Sequence, residues 1–384
     1  MSTGLVRLDS DIRRKQWMRE GLVQAATKSF WSPLTGNTMD SVVFQAKKDG
    51  AKGGHTVVFD FDGNLSGKAR KGKETAYGTG EQKRKFSDKL TVERYRLVAD
   101  NGDVFDGVDI GDLTINQHTD SRSKLGDLFV RFKDQALFDA AQGVSVTQNG
   151  VVQSPTHTID LGNTFTWNVL TDIERTLKTS QGFTTGGVRR PLKPYMTKNG
   201  EPVWLYVIDA AMAAILRKDT AGYQNILRSA DVRGNDNRLI KGVIGKIGAL
   251  LIVEADLFFG YTEGTTSGFG FNDSEIEMAG LRQYDGTDPN TALWTGQAGF
   301  DYASTNLHSR GVIMGAGALQ LAFGKQPDYK FQESQDFGIT AESAVEFWME
   351  AQKTKLKLES GPAYKSAKIS EIDFGVVVTD LEVQ

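Results

Sequence analysis

The chain has 384 residues, and its 45 Lys and Arg nearly balance its 48 Asp and Glu, leaving a formal net charge of -3. Its length and its 39% of hydrophobic residues exclude a disordered chain and a miniprotein that needs disulfide or metal staples. Because the chain contains no cysteine, thiol catalysis, iron–sulfur clusters and Cys-type zinc sites are excluded too. No apolar run reaches about 18 residues, and none resembles a signal peptide, so we expect a soluble protein made in a cytoplasm, with no membrane partner.

Residues 8–31 form the first predicted element, a helix. Ser10 can cap it, and Met18, Leu22, Ala25 and Ala26 share one narrow face. That stripe is too thin for a core helix, so we expect this arm to pack outside its own domain.

A long hairpin is predicted next. The β-rich runs HTVVFDF, which begins at His55, and KLTVERYRLV, which begins at Lys89, enclose a polar segment that is punctuated by glycine. Arms of about 20 residues at roughly 3.3 Å per residue could reach about 60 Å. A compact chain of this length is about 55 Å across. The hairpin should therefore lie on another subunit or extend into solvent.

The strongest helical pattern covers residues 124–142, with Ser123 as its predicted cap and Gly143 after its end. Its predicted core residues recur at helical spacing: Leu125, Leu128, Phe129 and Phe132. The charged residues predicted on its opposite side are Asp127, Arg131, Lys133, Asp134 and Asp139.

The rest of the chain mixes helices and strands. NVLTDIERTLKTS predicts a helix, VWLYVI a buried strand, and Asp209 the cap of a helix over AAMAAILRKD that continues through TAGYQNILRSA. ALLIVEAD predicts another buried strand, residues 260–298 predict loops, and the stretch after Gly317 is compatible with a helix. KTKLKLE and DFGVVVTDLEV alternate as strands do. We therefore predict an α+β fold.

No motif supports catalysis or a cofactor. None of the four histidines has a second histidine at helical spacing, and a calcium loop beginning at Asp60 would place Lys71 where a glutamate is required. Gly315 and Gly317 form only a partial dinucleotide motif, because Gln320 replaces the third glycine. We predict no enzyme activity, no catalytic residue, no cofactor and no metal.

Charge is segregated along the chain despite the near-neutral total. Residues 68–96 hold ten Lys and Arg against four acids, whereas residues 254–288 hold eight acids against Arg282 alone. A solvated loop or a nucleic-acid contact could explain the basic segment, but an intersubunit contact fits an extended arm better. The predicted basic contact residues are Lys68, Arg70, Lys71, Lys73, Lys83, Arg84 and Lys85. The predicted acidic contact residues are Glu254, Asp256, Glu263, Asp273, Glu275 and Glu277.

Several stretches together resemble one family. GGHTVVFDF precedes GEQKRKFSDKLTVERYR, then come WLYVIDAAMAAILRKD and YQNILRSADVRGNDNRLIKGVIGKIGALLIVE, and finally SRGVIMGAGALQLAFGK, QDFG and DFGVV. Their order and spacing resemble the major capsid proteins of tailed phages with the Hong Kong 97-like fold, in particular the N-four-like podovirus branch.

The resemblance implies four parts. They are an N-terminal arm (1–50), an extended loop formed by a β-hairpin (51–96), a peripheral domain (97–170 and 327–384) that includes a long spine helix (124–142), and an axial domain (171–326).

The resemblance also implies a function without catalysis. The subunit is expected to assemble into pentamers and hexamers of an icosahedral virion shell that encloses double-stranded DNA without sequence-specific binding. Portal, scaffold and decoration proteins are the expected partners, and assembly is expected in the cytoplasm of a host bacterium. An encapsulin-like nanocompartment shell and a phage tail or decoration protein are the alternatives.

Overall fold

The structure of the protein is a computed structural model. It describes residues 29–46, 56–62, 69–80, 85–103, 113–143, 155–179, 184–185, 188–189, 192–197, 200–219, 243–255, 284–285, 307–335, 340–356 and 372–383. Within these residues the chain is a mixed α+β protein with many strands and few helices. Residues 8–28 of the helix predicted over 8–31 lie outside the described residues, as do the predicted helical continuation over 220–230 and nearly all of the loops predicted over 260–298.

The helices are α1 (Leu113–Gln142), α2 (Trp167–Thr179) and α3 (Ala210–Lys218). The strands are β1 (Thr35–Gly36), β2 (Val43–Gln45), β3 (Thr56–Asp62), β4 (Lys85–Thr91), β5 (Glu93–Asp103), β6 (Thr158–Asp160), β7 (Thr184–Thr185), β8 (Val188–Arg189), β9 (Tyr195–Met196), β10 (Pro202–Ile208), β11 (Val243–Ile247), β12 (Leu250–Glu254), β13 (Tyr284–Asp285), β14 (Leu307–Met314), β15 (Leu319–Gln335), β16 (Thr340–Lys353), β17 (Lys355–Leu356), β18 (Ile372–Asp373) and β19 (Val376–Val383).

Two sheets organise the described chain. The smaller one has five strands in the order β1-β2-β15-β16-β5, and the larger one has the path β11-β12-β10-β14-β19-β6, with β9 and β13 at its sides. Three two-stranded pairs, β3 with β4, β7 with β8 and β17 with β18, stand apart from these sheets. The domain limits given by the resemblance stay a prediction. Strands β6 and β19, which come from the two parts of the predicted peripheral domain, both join the larger sheet.

One hydrophobic core joins α1 to both sheets. On the smaller sheet, Phe129 and Phe132 of α1 contact the ring of Phe347 on β16, with ring centroids 4.7 and 5.3 Å apart. The same cluster of buried side chains includes Leu205 and Val207 of β10. Helix α1 therefore serves as the central support of the molecule.

A second core lies on the opposite face of the larger sheet. Successive side chains of a strand point to opposite faces, so Tyr206 and Ile208 of β10 point away from the α1 side. They are buried with Leu170 of α2 and Met212 of α3. As predicted, Asp209 caps α3, because its carboxylate accepts a hydrogen bond from the Met212 backbone N–H at 2.7 Å.

The predicted hairpin is confirmed in its strand pairing. Strands β3 and β4 run antiparallel, from Thr56 opposite Thr91 to Asp62 opposite Lys85. The second half of the predicted return strand is separate, since β5 pairs with β16 in the smaller sheet. The chain therefore passes directly from the hairpin into the sheet on which α1 packs.

Two predictions about local structure were wrong. Helix α1 begins at Leu113 rather than Lys124, so Ser123 lies inside the helix and does not cap it. The stretch after Gly317 is not a helix but β15, whose backbone pairs with β16 on one side and β2 on the other. In both places tertiary structure overrides a local preference.

Candidate functional site

The base of the β3–β4 hairpin is anchored by apolar packing. Val57 and Phe59 of β3 are buried together with Leu90 of β4, Val92 just after it, and Ala322 of β15. Phe44 of β2 adds an edge-to-face contact with Phe59, at a centroid distance of 5.2 Å. The hairpin thus leaves the smaller sheet from a fixed base.

A buried carboxylate fixes the same base by hydrogen bonds. Asp88 of β4 is only 3% exposed. Its Oδ2 accepts hydrogen bonds from the side-chain amides of Gln320 and Gln352, at 3.2 and 3.3 Å, and from the Lys355 N–H at 3.1 Å. Three strands outside the hairpin, β15, β16 and β17, therefore donate hydrogen bonds to one side chain of the hairpin. Sequence analysis missed this residue because nothing in the local pattern distinguishes it from a surface acid.

The tip of the hairpin is exposed throughout its described part. Every residue of the segment 69–80 is exposed, and Tyr77 has 95% of its surface accessible. Two turns shape this segment, closed by hydrogen bonds from the Glu74 N–H to the Lys71 carbonyl and from the Thr79 N–H to the Ala76 carbonyl, both at 3.3 Å. The tip therefore has local structure of its own and presents an aromatic ring to its surroundings.

Three predicted basic contact residues lie at this tip. Arg70, Lys71 and Lys73 are all exposed, with Glu74 as the acid among them. Lys85 begins β4, and its side chain lies outside the described residues. Lys68, Lys83 and Arg84 also lie outside the described residues. The described tip is thus basic and aromatic, a combination suited to an acidic partner surface.

The predicted acidic contact residues are mostly outside the described residues. Asp256, Glu263, Asp273, Glu275 and Glu277 all fall there. Glu254 ends β12, and its carboxylate accepts a hydrogen bond from Arg217 of α3 at 2.5 Å. Glu254 is therefore engaged within its own chain. Its pairing with a neighbouring subunit stays a prediction.

The predicted spine-helix core residues lie against the smaller sheet. Leu125, Phe129 and Phe132 are buried, and Leu128 packs against the same cluster while partly exposed. Tyr95 of β5 lies beside Phe132, with ring centroids 5.0 Å apart. These side chains hold α1 to the strands that continue from the hairpin.

The opposite side of α1 is not simply the charged surface that we predicted. Asp134 and Asp139 are buried. Asp134 accepts hydrogen bonds from the Ser29 hydroxyl and from the Phe30 N–H, both at 2.7 Å. Burial raises the pKa of the Asp134 carboxyl, an effect that Lys133 and these two hydrogen bonds oppose. The difference at Asp134 arises because Ser29 and Phe30 cover its carboxylate.

Aromatic packing strengthens this attachment of the N-terminal segment. Trp31 is fully buried, its ring centroid lies 4.4 Å from that of Phe138, and its indole N–H donates to the Asp134 carbonyl at 3.3 Å. The chain N-terminal to Ser29 therefore starts from a point that is fixed on α1.

The buried acid Asp209 has a structural role. It is fully buried, and besides capping α3 it accepts a hydrogen bond from the Ser309 hydroxyl of β14. Burial raises the pKa of the Asp209 carboxyl to about 6. Both of its partners belong to the fold, so the raised pKa marks a burial cost at a helix cap.

The described ranges contain neither a metal-binding cluster nor a membrane-spanning helix. No group of three or more His, Asp or Glu side chains is placed to hold a metal ion there. None of the helices in those ranges is long and apolar enough to cross a membrane.

No protein-family model matches the chain, and no curated protein matches it. Solved structures do match, and the chain shares its fold with chains in phage capsids. A chain in the capsid of Ralstonia phage GP4 shares 18% identity and a TM-score of 0.65, covering 100% of this chain and 95% of that one.

Two further structures agree. For the capsid of Helicobacter pylori bacteriophage KHP30 the values are 13% identity, a TM-score of 0.62, and coverage of 92% of this chain and 91% of that one. The capsid of cyanophage Pam1 shows 14% identity and a TM-score of 0.57, with coverage of 99% of each chain.

Proposed function

We propose that this chain is the major capsid protein of a bacteriophage, a non-enzymatic subunit that builds the icosahedral shell of the virion. The observation that carries the proposal is the match of the fold to phage capsid subunits over nearly the full length of both chains. In such a protein, many weak interfaces repeated by symmetry take the place of an active site.

The hairpin supports this function. Its base is held by Asp88 and by a small apolar cluster, whereas its described tip is exposed and carries Tyr77 with basic neighbours. A projecting element with a fixed base and an exposed aromatic tip is suited to a contact with a neighbouring subunit. We infer that the hairpin is the extended loop of the Hong Kong 97-like fold, and that its cations meet acids of the next subunit.

The finer features rest on the resemblance of the sequence stretches. We propose membership of the N-four-like podovirus branch, assembly through pentamers and hexamers, and a shell that encloses double-stranded DNA without reading its sequence. The portal, scaffold and decoration proteins would be its partners, and assembly would occur in the cytoplasm of the host bacterium. The modest net charge of -3 suits a wall that confines DNA without binding it tightly.

Light scattering of the purified full chain, over a range of protein concentrations and salt concentrations, tests the proposal. We expect capsomers and closed particles far larger than a single chain. A protein that stays monomeric under every condition would overturn the proposal. Particles that enclose protein cargo instead of DNA after expression with the phage genes would favour a nanocompartment.

A further inference from the structure

A lysine and an aspartate form a buried ion pair where the two sheets meet. Lys353 ends β16 of the smaller sheet, and Asp373 ends β18, just before β19 of the larger sheet. The Lys353 Nζ lies 2.8 Å from the Asp373 Oδ2, and the two side chains are 0% and 1% exposed. Water is therefore excluded from both charged groups.

The backbone on either side of the pair is fixed by hydrogen bonds. The Thr354 N–H donates to the Ala318 carbonyl at 2.9 Å, and the Phe374 N–H donates to the Thr354 carbonyl at 2.8 Å. The Asp373 N–H donates to the Thr156 hydroxyl at 2.9 Å. The amine and the carboxyl group are thus held together, and such positioning can be equivalent to an effective concentration of about 10⁵ M or more.

The carboxylate is only partly compensated. Its Oδ2 accepts from Lys353 and from the Thr156 N–H at 2.8 Å, but its buried Oδ1 has no hydrogen-bond partner among the described residues. The hydroxyl of the adjacent Thr354 is likewise buried and unpartnered within that part of the chain. A buried ion pair is fully compensated only when its remaining hydrogen-bonding capacity is met, and within the described residues this pair leaves Oδ1 unmet.

The environment of Lys353 makes its ammonium group easier to deprotonate than an exposed lysine. Burial lowers the pKa of Lys353 to about 8; Asp373 opposes this shift, whereas the nearby cations Lys355 and Arg310 add to it. A neutral amine is the nucleophilic form of lysine.

We propose that Lys353 and Asp373 become joined by an isopeptide bond within one subunit. One proton first passes from the ammonium group to Oδ2, which leaves a neutral amine beside a carboxylic acid. Nζ then forms a bond to Cγ while the bond from Cγ to Oδ2 breaks. A second proton from nitrogen joins the departing oxygen, and one water molecule leaves. No oxidant, reductant or cofactor is required.

The bond would tie the end of β16 covalently to the segment that enters the larger sheet. It lies within one chain, so the inference does not depend on assembly or on the proposed function. Exclusion of water, which protects the product from hydrolysis, is the feature that separates this pair from exposed ion pairs of similar length.

Intact-mass spectrometry of the denatured full chain tests the inference, before and after prolonged incubation at neutral and mildly alkaline pH. We expect a mass about 18 Da below that of the sequence, the mass of one water, and a branched tryptic peptide that joins Lys353 to Asp373. Lys353→Arg and Asp373→Ala should restore the full sequence mass. Asp373→Asn should form the same bond with a loss of about 17 Da, because ammonia then leaves.

A matched control is Lys330, whose Nζ lies 2.7 Å from the Glu346 carboxylate but whose side chain is 53% exposed. Lys330→Arg should leave the mass deficit unchanged. The full sequence mass in fresh and incubated wild-type protein would overturn the inference, as would a branched peptide at another lysine. The wild-type mass decides the matter even if a variant fails to fold.

Discussion

Gln320 of β15 donates a hydrogen bond from its side-chain amide to the buried Asp88 carboxylate of β4, at 3.2 Å. This contact joins the hairpin to the smaller sheet at a point far from the exposed tip. Because Gln352 and the Lys355 backbone donate to the same oxygen, Asp88 accepts hydrogen bonds from three strands outside the hairpin.

Asp88→Ala should destabilise the subunit by about 1–3 kcal/mol, since it leaves buried donors without an acceptor. Urea unfolding measures the change. The control is Asp172→Ala: Asp172 pairs with Arg175 on the surface of α2, where both side chains are mostly exposed, and should cost no more than about 0.5 kcal/mol. Equal effects for the two variants would show that the Asp88 cluster does not hold the hairpin.

A tight turn between β11 and β12 supplies a second prediction. Gly248 has a φ of +54°, and a Cβ there would lie 2.2 Å from the Glu174 carboxylate, which accepts the Ala249 N–H at 2.9 Å. Gly248→Ala should cost about 1–2 kcal/mol for its left-handed backbone and about 1 kcal/mol more for the displaced Glu174 hydrogen bond.

Gly162→Ala is the control for the turn, because Gly162 has a similar φ of +57° with no atom within 4 Å of an added Cβ. The two free energies of unfolding should therefore differ, with Gly248→Ala the less stable. Equal values would mean that Glu174 does not constrain the turn.

The buried Asp209 makes stability depend on pH. Burial raises the pKa of its carboxyl from 3.8 to about 6 in the folded protein. Between these values the folded protein binds more protons than the unfolded one, so the contribution of Asp209 is present at low pH and is lost as the pH rises through about 6.

Asp209→Asn should remove this dependence while keeping an oxygen acceptor for the Met212 N–H. We expect the stability of the wild type relative to the variant to fall by roughly 1–3 kcal/mol from about pH 4 to about pH 7. Urea unfolding across that range measures it. A difference that stays constant or grows with pH would contradict the assignment.

The hairpin tip gives a prediction about association rather than stability. Because Arg70, Lys71 and Lys73 are exposed, the triple variant R70A/K71A/K73A should keep its free energy of unfolding within about 0.5 kcal/mol. Its assembly should be slower and less sensitive to salt, since opposite charges accelerate encounter most at low ionic strength. Time-resolved light scattering measures the rate.

Arg175→Ala, which removes an exposed charge from α2, is the control for the tip and should leave the assembly rate unchanged. If the triple variant assembled at the wild-type rate at both low and high salt, the tip would be exposed to solvent and would not form an interface.

Sequence patterns were sufficient where local and tertiary preferences agree. The run VWLYVI is apolar throughout because β10 is buried on both faces, between α1 on one side and α2 and α3 on the other. The hairpin strands were equally clear, since Val57, Phe59 and Leu90 alternate with exposed residues as strands with one buried face do.

Patterns failed where neighbours decide the structure. Strand β16 escaped prediction because Ala, Glu, Met and Gln favour helices, although Val345, Phe347 and Met349 alternate with less buried residues as a strand requires. The start of α1 was misplaced because Thr, Asn and Ser before Ser123 are weak helix formers. Asp88 and Asp134 could not be nominated at all, since their partners lie more than 100 residues away along the chain.

Electron microscopy of particles assembled from the purified full chain tests the central claim most directly. The account predicts closed icosahedral shells in which this fold is the repeating subunit and each hairpin tip lies on a neighbouring subunit. Removal of residues 66–85 should leave a folded subunit that forms no shells or aberrant ones. A soluble monomer without capsomers or shells under any condition would contradict the account.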